Sequence, residues 1–203
     1  MKKFTIILLL TFIFAPFIHG AESASAVLGR VAEKIRSSGS LNITYTLTAN
    51  GERADGNILI SSDCFQLSSP QVRSWYDGKT QWTYSSLMGE VNITEPTPEE
   101  IAQVNPFAII KSFSTDYTAS FLKSPKGFSN ILLKSKKKNA DITSATVTIN
   151  NSTGYPSSIK LIMAGGQEFS VGIKSVKPGQ PLPLSTFRYS TKEYPSVRVV
   201  DLR

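Results

Sequence analysis

The sequence predicts a mainly β protein, built as one large antiparallel sheet with an apolar face and accompanied by short α-helices. Three observations carry this expectation. Apolar residues recur at every second position in run after run from Leu41 onward, turn residues such as Asp77-Gly78 and Met88-Gly89 fall at the breaks between runs, and only three short stretches show helical spacing. A sheet of that extent must bury its apolar face by curling, by pairing with a second sheet, or by being lidded with helices.

Ahead of these elements the chain reads as an export signal. Lys2 and Lys3 precede an apolar stretch from Phe4 to Ile18, and the small pair Gly20-Ala21 follows. The expected division is a signal peptide over residues 1–21 and a single domain over residues 22–203. The apolar stretch is shorter than the ~20 residues a membrane-spanning helix needs. No cysteine follows the expected cleavage region, so a soluble, unanchored mature protein working outside the cytoplasm is expected.

Cleavage there removes His19, the sole histidine of the sequence, and leaves Cys64 as the sole thiol. A histidine-based catalytic triad, a histidine zinc site and an intramolecular disulfide are thereby excluded from the mature chain. Cys64 stands beside Phe65 in a strand-like run and reads as a small buried apolar residue, which favours a monomer. The formal charge of +7 falls to +5 once Lys2 and Lys3 leave. Much of the excess lies in Lys134, Lys136, Lys137 and Lys138, between two strand-like segments, where a solvated turn accounts for it and nucleic-acid binding is not expected.

The first mature element is a helix. Ser23 or Ser25 can cap it, Val27, Leu28, Val31 and Ile35 recur at helical spacing, and Gly39 follows. The period then changes to two, with Leu41, Ile43, Tyr45 and Leu47 alternating against polar residues. Further strands are expected over Asn57 to Ile60, Cys64 to Leu67, Val72 to Tyr76, Gln81 to Tyr84 and Glu90 to Thr94. Thr97-Pro98-Glu99-Glu100 then supplies a capping hydroxyl, a proline for the first helical turn and a glutamate able to close a capping box. A third helix is expected from Asn105-Pro106, carrying Phe107, Ile109, Ile110 and Phe113. Strand spacing resumes from Asp116 to Phe121 and from Phe128 to Leu133. It continues through Ala145-Val147-Ile149, Ile159-Leu161-Met163 and Phe169-Val171-Ile173, and ends with Phe187-Tyr189 and Val197-Val199. The count is about ten or eleven antiparallel strands. Curled around so few helices, such a sheet can enclose a volume its own side chains do not fill, although a filled sandwich would show the same alternation.

The chemical motifs point away from an enzyme, a metal site or a cofactor. Glu99 and Glu100 are adjacent, so on a helix they diverge by about 100° and cannot face one another as acid and base. Asp77 belongs to a turn, Asp201 to the terminal Asp201-Leu202-Arg203, and neither has a local metal-ligand companion. Gly165-Gly166 lies between two strands, which is hairpin chemistry; a phosphate loop would feed a helix. Trp75, Trp82, Tyr84, Phe107 and Phe113 gather large apolar surface around the central hairpins and the third helix, as core packing or as a ligand wall.

The run Trp75-Tyr76-Asp77-Gly78-Lys79-Thr80-Gln81-Trp82-Thr83-Tyr84 resembles the DGKT-x-W-x-Y hairpin of the periplasmic lipoprotein carrier LolA and its relatives. The order around it is similar too: export signal, amphipathic helix, strands, this hairpin, Val91 to Glu95, a helix from Asn105-Pro106-Phe107, and a closing segment from Phe187 to Arg203. The resemblance implies an incomplete, half-open antiparallel barrel of about eleven strands with a helical lid over an apolar cavity. It implies a non-enzymatic periplasmic carrier that shields lipoprotein acyl chains, or another lipid, between an inner-membrane lipoprotein-releasing transporter and an outer-membrane acceptor. A lipid- or glycolipid-binding sensor of the same fold is the alternative. The residues expected to line the cavity are Phe65, Leu67, Trp75, Trp82, Tyr84, Val91, Ile93, Phe107, Ile110 and Phe113. One departure stands out: family members hold the lid with an Arg before an aromatic strand, and Ile60-Ser61-Ser62-Asp63-Cys64-Phe65 contains none.

Overall fold

The computed structural model describes residues 22–203, so the expected export signal, with His19, lies outside the described residues. Helix α1, Ala24–Ser37, begins where expected: the Ser23 hydroxyl accepts the amide of Ala26 at 3.1 Å. Val27, Leu28, Val31 and Ile35 form its buried stripe, and Lys34 and Arg36 stand in its last turn, where positive charge suits the helix dipole. Gly39, at φ +69°, turns the chain into the first strand.

Six strands follow as successive hairpin neighbours: β1 Ser40–Ala49, β2 Glu52–Ser61, β3 Cys64–Ser68, β4 Val72–Tyr76, β5 Gln81–Ser85 and β6 Glu90–Thr94. Helices α2, Pro98–Val104, and α3, Ala108–Asp116, then cross to the second series. That series is β7 Tyr117–Leu122, β8 Phe128–Ser135, β9 Ile142–Asn150, β10 Pro156–Met163 and β11 Glu168–Gly179. The two series join through β1 and β11, and the whole is one open sheet in the order β12-β6-β5-β4-β3-β2-β1-β11-β10-β9-β8-β7, with β12 at Arg198–Asp201. The sheet is thus mainly antiparallel and unclosed, as an incomplete barrel requires, and it has twelve strands where about eleven were expected. A register shift at Thr44/Tyr45 opposite β11 marks a bulge in the central pair, the kind of irregularity that bends a strand and raises its twist.

Three features differ from the sequence reading. Phe187 and Tyr189 do not form a strand: Leu184–Phe187 is a short 3-10 helix within a segment that crosses the back of the sheet. The final strand pairs in parallel with β6, Val199 opposite Val91, because that segment carries the chain past β6 before it turns in. The third helix also starts later than Pro106. Asn105 accepts the amide of Phe107 on its side-chain oxygen at 3.1 Å, a tight turn that delays regular helix to Ala108.

The concave face holds the main core. Leu41, Ile43, Ile58, Phe65, Ile131, Leu133, Val147 and Ile159 are buried there together with the stripe of α1 and with Ile109, Ile110 and Phe113 of α3. No helix among the described residues is long and apolar enough to cross a membrane.

The crossing segment is fastened to the convex face at several points. The amide of Leu182 donates to Ser61 Oγ at 3.3 Å, and Phe187 is buried, at 1% exposed. Tyr189 and Tyr194 each place a ring edge-on to Trp75 with centroids 5.7 Å apart. Arg73 donates to the Tyr194 hydroxyl at 2.7 Å. Arg188 reaches Asp77 at 2.8 Å, and Asp77 also accepts the amides of Lys79 and Thr80 at 3.1 and 2.9 Å, closing the turn in which Gly78 adopts φ +97°. Burial works against the charge on Asp77, but the Thr80 amide and the Arg188 guanidinium outweigh it and hold the carboxyl below its ordinary value.

Asp77 therefore couples a hairpin to the crossing segment. Its folded pKa lies below its unfolded value, so its stabilising contribution is present above the unfolded pKa near 3.8 and is lost as pH falls through the folded one. Asp77→Ala should lower stability by roughly 1.5–3 kcal/mol in urea unfolding at pH 7. The difference from the unsubstituted protein should shrink below pH 4, and a difference independent of pH would contradict the charged role.

Candidate ligand cavity

The concave face is not filled throughout. An apolar cavity of about 270 Å³ lies between the sheet and the junction of α2 with α3. Tyr45 and Leu47 of β1, Ala54 and Ile58 of β2, and Leu67 of β3 form one wall, and Leu161, Phe169 and Val171 of β10 and β11 another. Val104, Pro106 and Phe107 close it from the helical side, while Ser69, Val72 and Gln103 stand at its rim. No charged side chain lines it. Two of its polar members are engaged elsewhere: Gln103 donates to Asp141 at 3.2 Å, and Ser69 Oγ donates to the Val72 carbonyl at 3.2 Å. An apolar enclosure without charge suits a hydrocarbon chain, which asks for area removed from water and for no hydrogen bonds.

A larger groove, about 690 Å³, opens beside it and shares Leu47, Ala54 and Ser69. Glu52, Arg53, Asp55, Gln71 and Lys174 line this groove. It lies where β2 outruns β3: their pairing ends at Asn57 with Ser68, whereas β2 continues to Glu52 along β1. Charged lining makes it a mouth for the apolar cavity, where water and polar groups are at ease.

The site residues expected from the sequence separate into three sets. Leu67 and Phe107 line the cavity. Phe65, Ile110 and Phe113 are in the same concave core but are packed away from the space, Phe65 against Tyr76 with ring centroids 5.4 Å apart and the other two on the inner stripe of α3. Trp75, Trp82, Tyr84, Val91 and Ile93 stand on the opposite face of the sheet. Directly opposed residues share a face, and the register pairs Phe65 with Tyr76, Tyr76 with Gln81 and Gln81 with Thr94, while Trp75 pairs with Trp82 and Trp82 with Ile93. Tyr84 likewise pairs with Val91 on the convex side. The expectation that one cavity gathers all ten is corrected by this parity.

The concave side of β4 and β5 is polar instead. Gln81 donates to Ser74 Oγ at 3.0 Å and to Thr83 Oγ1 at 3.1 Å, and Ser74 and Thr83 share a hydrogen bond of 3.1 Å. This network ends the apolar cavity along the sheet. Among the lining residues that the aromatic signal missed are Tyr45, Leu47, Phe169 and Val171; each belongs to a strand with period-two spacing, but nothing local distinguishes a cavity wall from a filled core.

The two lid helices differ in how they are held. Helix α3 buries Ile109, Ile110 and Phe113, and Lys136 donates to the carbonyls of Ser114 and Thr115 at its end at 2.9 and 3.1 Å. Its Lys111 reaches the Ser62 carbonyl and, at 2.9 Å, Asp63 in the β2–β3 turn, the stretch without arginine. Helix α2 buries Ala102, packs the half-buried Ile101 and Val104 on the core, and is further fastened by exposed polar contacts. These are a Thr97–Glu100 capping box, the Glu99–Lys137 ion pair and the Gln103–Asp141 hydrogen bond. The Thr97 amide holds the Glu100 carboxyl below its ordinary value. Glu99 and Glu100 thus act as helix fastenings, and two lysines of the basic run hold the lid. Cys64 is half-buried, and burial, with Asp77 and Asp63 nearby, pushes its thiol pKa up, away from reactive thiolate character.

Comparison with known proteins follows the same line. Residues 14–167 match the family model described as outer membrane lipoprotein carrier protein LolA. No curated protein matches the chain. Among solved structures, an uncharacterized conserved protein from Thermus thermophilus superposes with a TM-score of 0.59 at 14% identity, covering 89% of this chain and 99% of that one, which shows a shared fold. A LolA superfamily protein from Nitrosomonas europaea gives 0.46 at 13% identity over 83% of this chain and 99% of that one. MucB of Pseudomonas aeruginosa, in its complex with MucA, gives 0.46 at 14% identity over 83% of this chain and 62% of that one.

Because α2 fully buries only Ala102, with Ile101 and Val104 half-buried, whereas α3 buries three large side chains, α2 should open at lower cost than α3. Amide hydrogen exchange followed by mass spectrometry should show Ile101–Val104 exchanging well before Ile109–Phe113. Equal protection of the two helices would contradict a lid made of α2.

Proposed function

The chain belongs to the family of outer membrane lipoprotein carrier proteins, LolA, and from that premise we propose that it takes acyl chains into the concave cavity and carries them through water. In this reading it is a periplasmic, non-enzymatic carrier that accepts lipoproteins from an inner-membrane transporter and releases them to an outer-membrane acceptor. The observation that supports it most is the uncharged cavity under α2, walled by Tyr45, Leu47, Leu67, Phe107 and Val171.

The energetics suit carriage with release. Each methylene moved from water into such a wall gains about 0.8 kcal/mol. The enclosed space, about 270 Å³, falls just under the ~300–1,000 Å³ of ordinary small-molecule pockets, so it takes part of one chain as it stands and more when α2 lifts. Some of the burial energy then goes into breaking the exposed fastenings of α2, which keeps affinity low enough for delivery. The charged mouth gives the polar end of the cargo a place outside the apolar walls. No proton transfer or bond cleavage enters.

Fluorescence titration with an acyl-chain reporter tests this. The purified protein should bind it; Leu67→Asp should weaken binding at least tenfold, since an unpaired carboxylate against hydrocarbon costs several kcal/mol. Trp82→Ala, on the convex face, should leave binding unchanged, with circular dichroism confirming the fold of both. Absence of binding by the unsubstituted protein, or equal loss in the two variants, would contradict the proposal. Selective binding of glycolipid over acyl chains would favour a sensor.

A further inference from the structure

The cavity supplies a space for acyl chains but says nothing by itself of how the protein meets the surface that holds them. The turn between β5 and β6 does. Leu87 is 78% exposed and Met88 71%, more than any other large apolar side chain among the described residues, and they are adjacent in sequence. This turn is not loose. The Gly89 amide donates to the Ser85 carbonyl at 2.9 Å, Gly89 takes φ +64°, and the Met88 amide approaches Ser85 Oγ at 3.4 Å. The Ser86 amide and hydroxyl both donate to the Gln71 carbonyl, at 3.0 and 3.2 Å. Two large apolar side chains are therefore held in water by an ordered hairpin, with no packing on the protein in return.

The position of the turn matters as much as its exposure. Gln71 lies between Ser69 and Val72, which rim the apolar cavity, and it lines the polar mouth outside. The hydrogen bonds from Ser86 thus fix the Leu87-Met88 tip to the lip of the cavity. We propose that this tip is a membrane anchor: Leu87 and Met88 insert into the interfacial region of a phospholipid bilayer and set the cavity lip, Ser69 to Val72, against the lipid. The size of the feature favours a bilayer over a protein partner. A stable protein interface buries on the order of 800 Å² on each side, whereas two adjacent side chains on a narrow turn fit a fluid medium that closes around them. Their flanks, Ser85, Ser86 and Gly89, are small and add no charge to be desolvated.

This inference rests on the carrier reading for its purpose, but its test is separate. The full described chain would be sedimented with large vesicles of phosphatidylcholine, alone and with one third phosphatidylglycerol, at low and high salt, alongside Leu87→Ser/Met88→Ser and Leu202→Ser. Leu202 is also exposed, at 61%, but sits beyond β12, and its amide bonds Ile93 at the far end of β6. The protein should partition onto both vesicles. The double variant should lose roughly a hundredfold in partition coefficient, because two buried apolar side chains each contribute about a factor of ten. Leu202→Ser should match the unsubstituted protein. Acyl-reporter binding in solution should be equal in all three, which separates failure of the anchor from failure of the carrier. Vesicle binding that is unchanged in the double variant, or abolished by salt, would overturn the proposal in favour of electrostatic attraction through the lysines. No vesicle binding by the unsubstituted protein would overturn it as well.

Discussion

The parity of an antiparallel ladder governs this molecule. Side chains alternate between faces, and directly paired residues share one, so a register fixed at one pair is fixed across the sheet. Once Ile58, Ile60, Phe65 and Leu67 turn toward the helices, hydrogen bonding from β2 to β6 sends Trp75, Trp82, Tyr84, Val91 and Ile93 to the convex side. A slip of one residue between β3 and β4 would turn Trp75, Trp82 and Tyr84 toward the helices and put Ser74, Gln81 and Thr83 where the crossing segment now packs.

From that parity follow two separate apolar assemblies with separate tasks. The concave one is a core under α1 and α3, left incomplete where α2 meets the sheet, and the unfilled part is the cavity. The convex one is an aromatic seam in which Trp75, Tyr84, Tyr189 and Tyr194 receive the crossing segment, with Phe187 buried beneath it. The seam covers apolar surface that a single-layered sheet would expose, and it delivers the chain to β6 in the direction that makes the final pairing parallel. Fold and site are linked here. The convex seam holds β4 and β5 in place, and so holds the turns that rim the cavity.

Much of this was legible in the sequence because the local signals were strong. Ser23, Gly39, the Thr97–Glu100 box and the alternation from Leu41 to Leu47 each have a cause within a few residues, and the Asp77-Gly78 turn carried the family resemblance. The site was less legible. Trp75 and Trp82 look like a ligand wall when hydrophobicity alone is read, since alternation gives relative faces within one strand but not which face meets the helices. Phe187-Tyr189 has strand spacing, yet Pro183 ahead of it and the docking onto Trp75 decide its form. The wall contributed by Phe169 and Val171 comes from one distant strand, β11, brought beside β1, a long-range pairing with no local mark. The departure at Ile60–Phe65, where no arginine stands, is met in space by Lys111 of α3.

Paramagnetic relaxation by a spin-labelled fatty acid, read on the protein's nuclear magnetic resonances, addresses the face assignment most directly. With the label in the acyl chain, signals of Leu47, Leu67, Phe107 and Val171 should broaden strongly, while the indole N–H signals of Trp75 and Trp82, across the sheet, should broaden far less. Strong broadening of the two indoles with sparing of Leu67 and Val171 would place the ligand on the convex face and contradict the account.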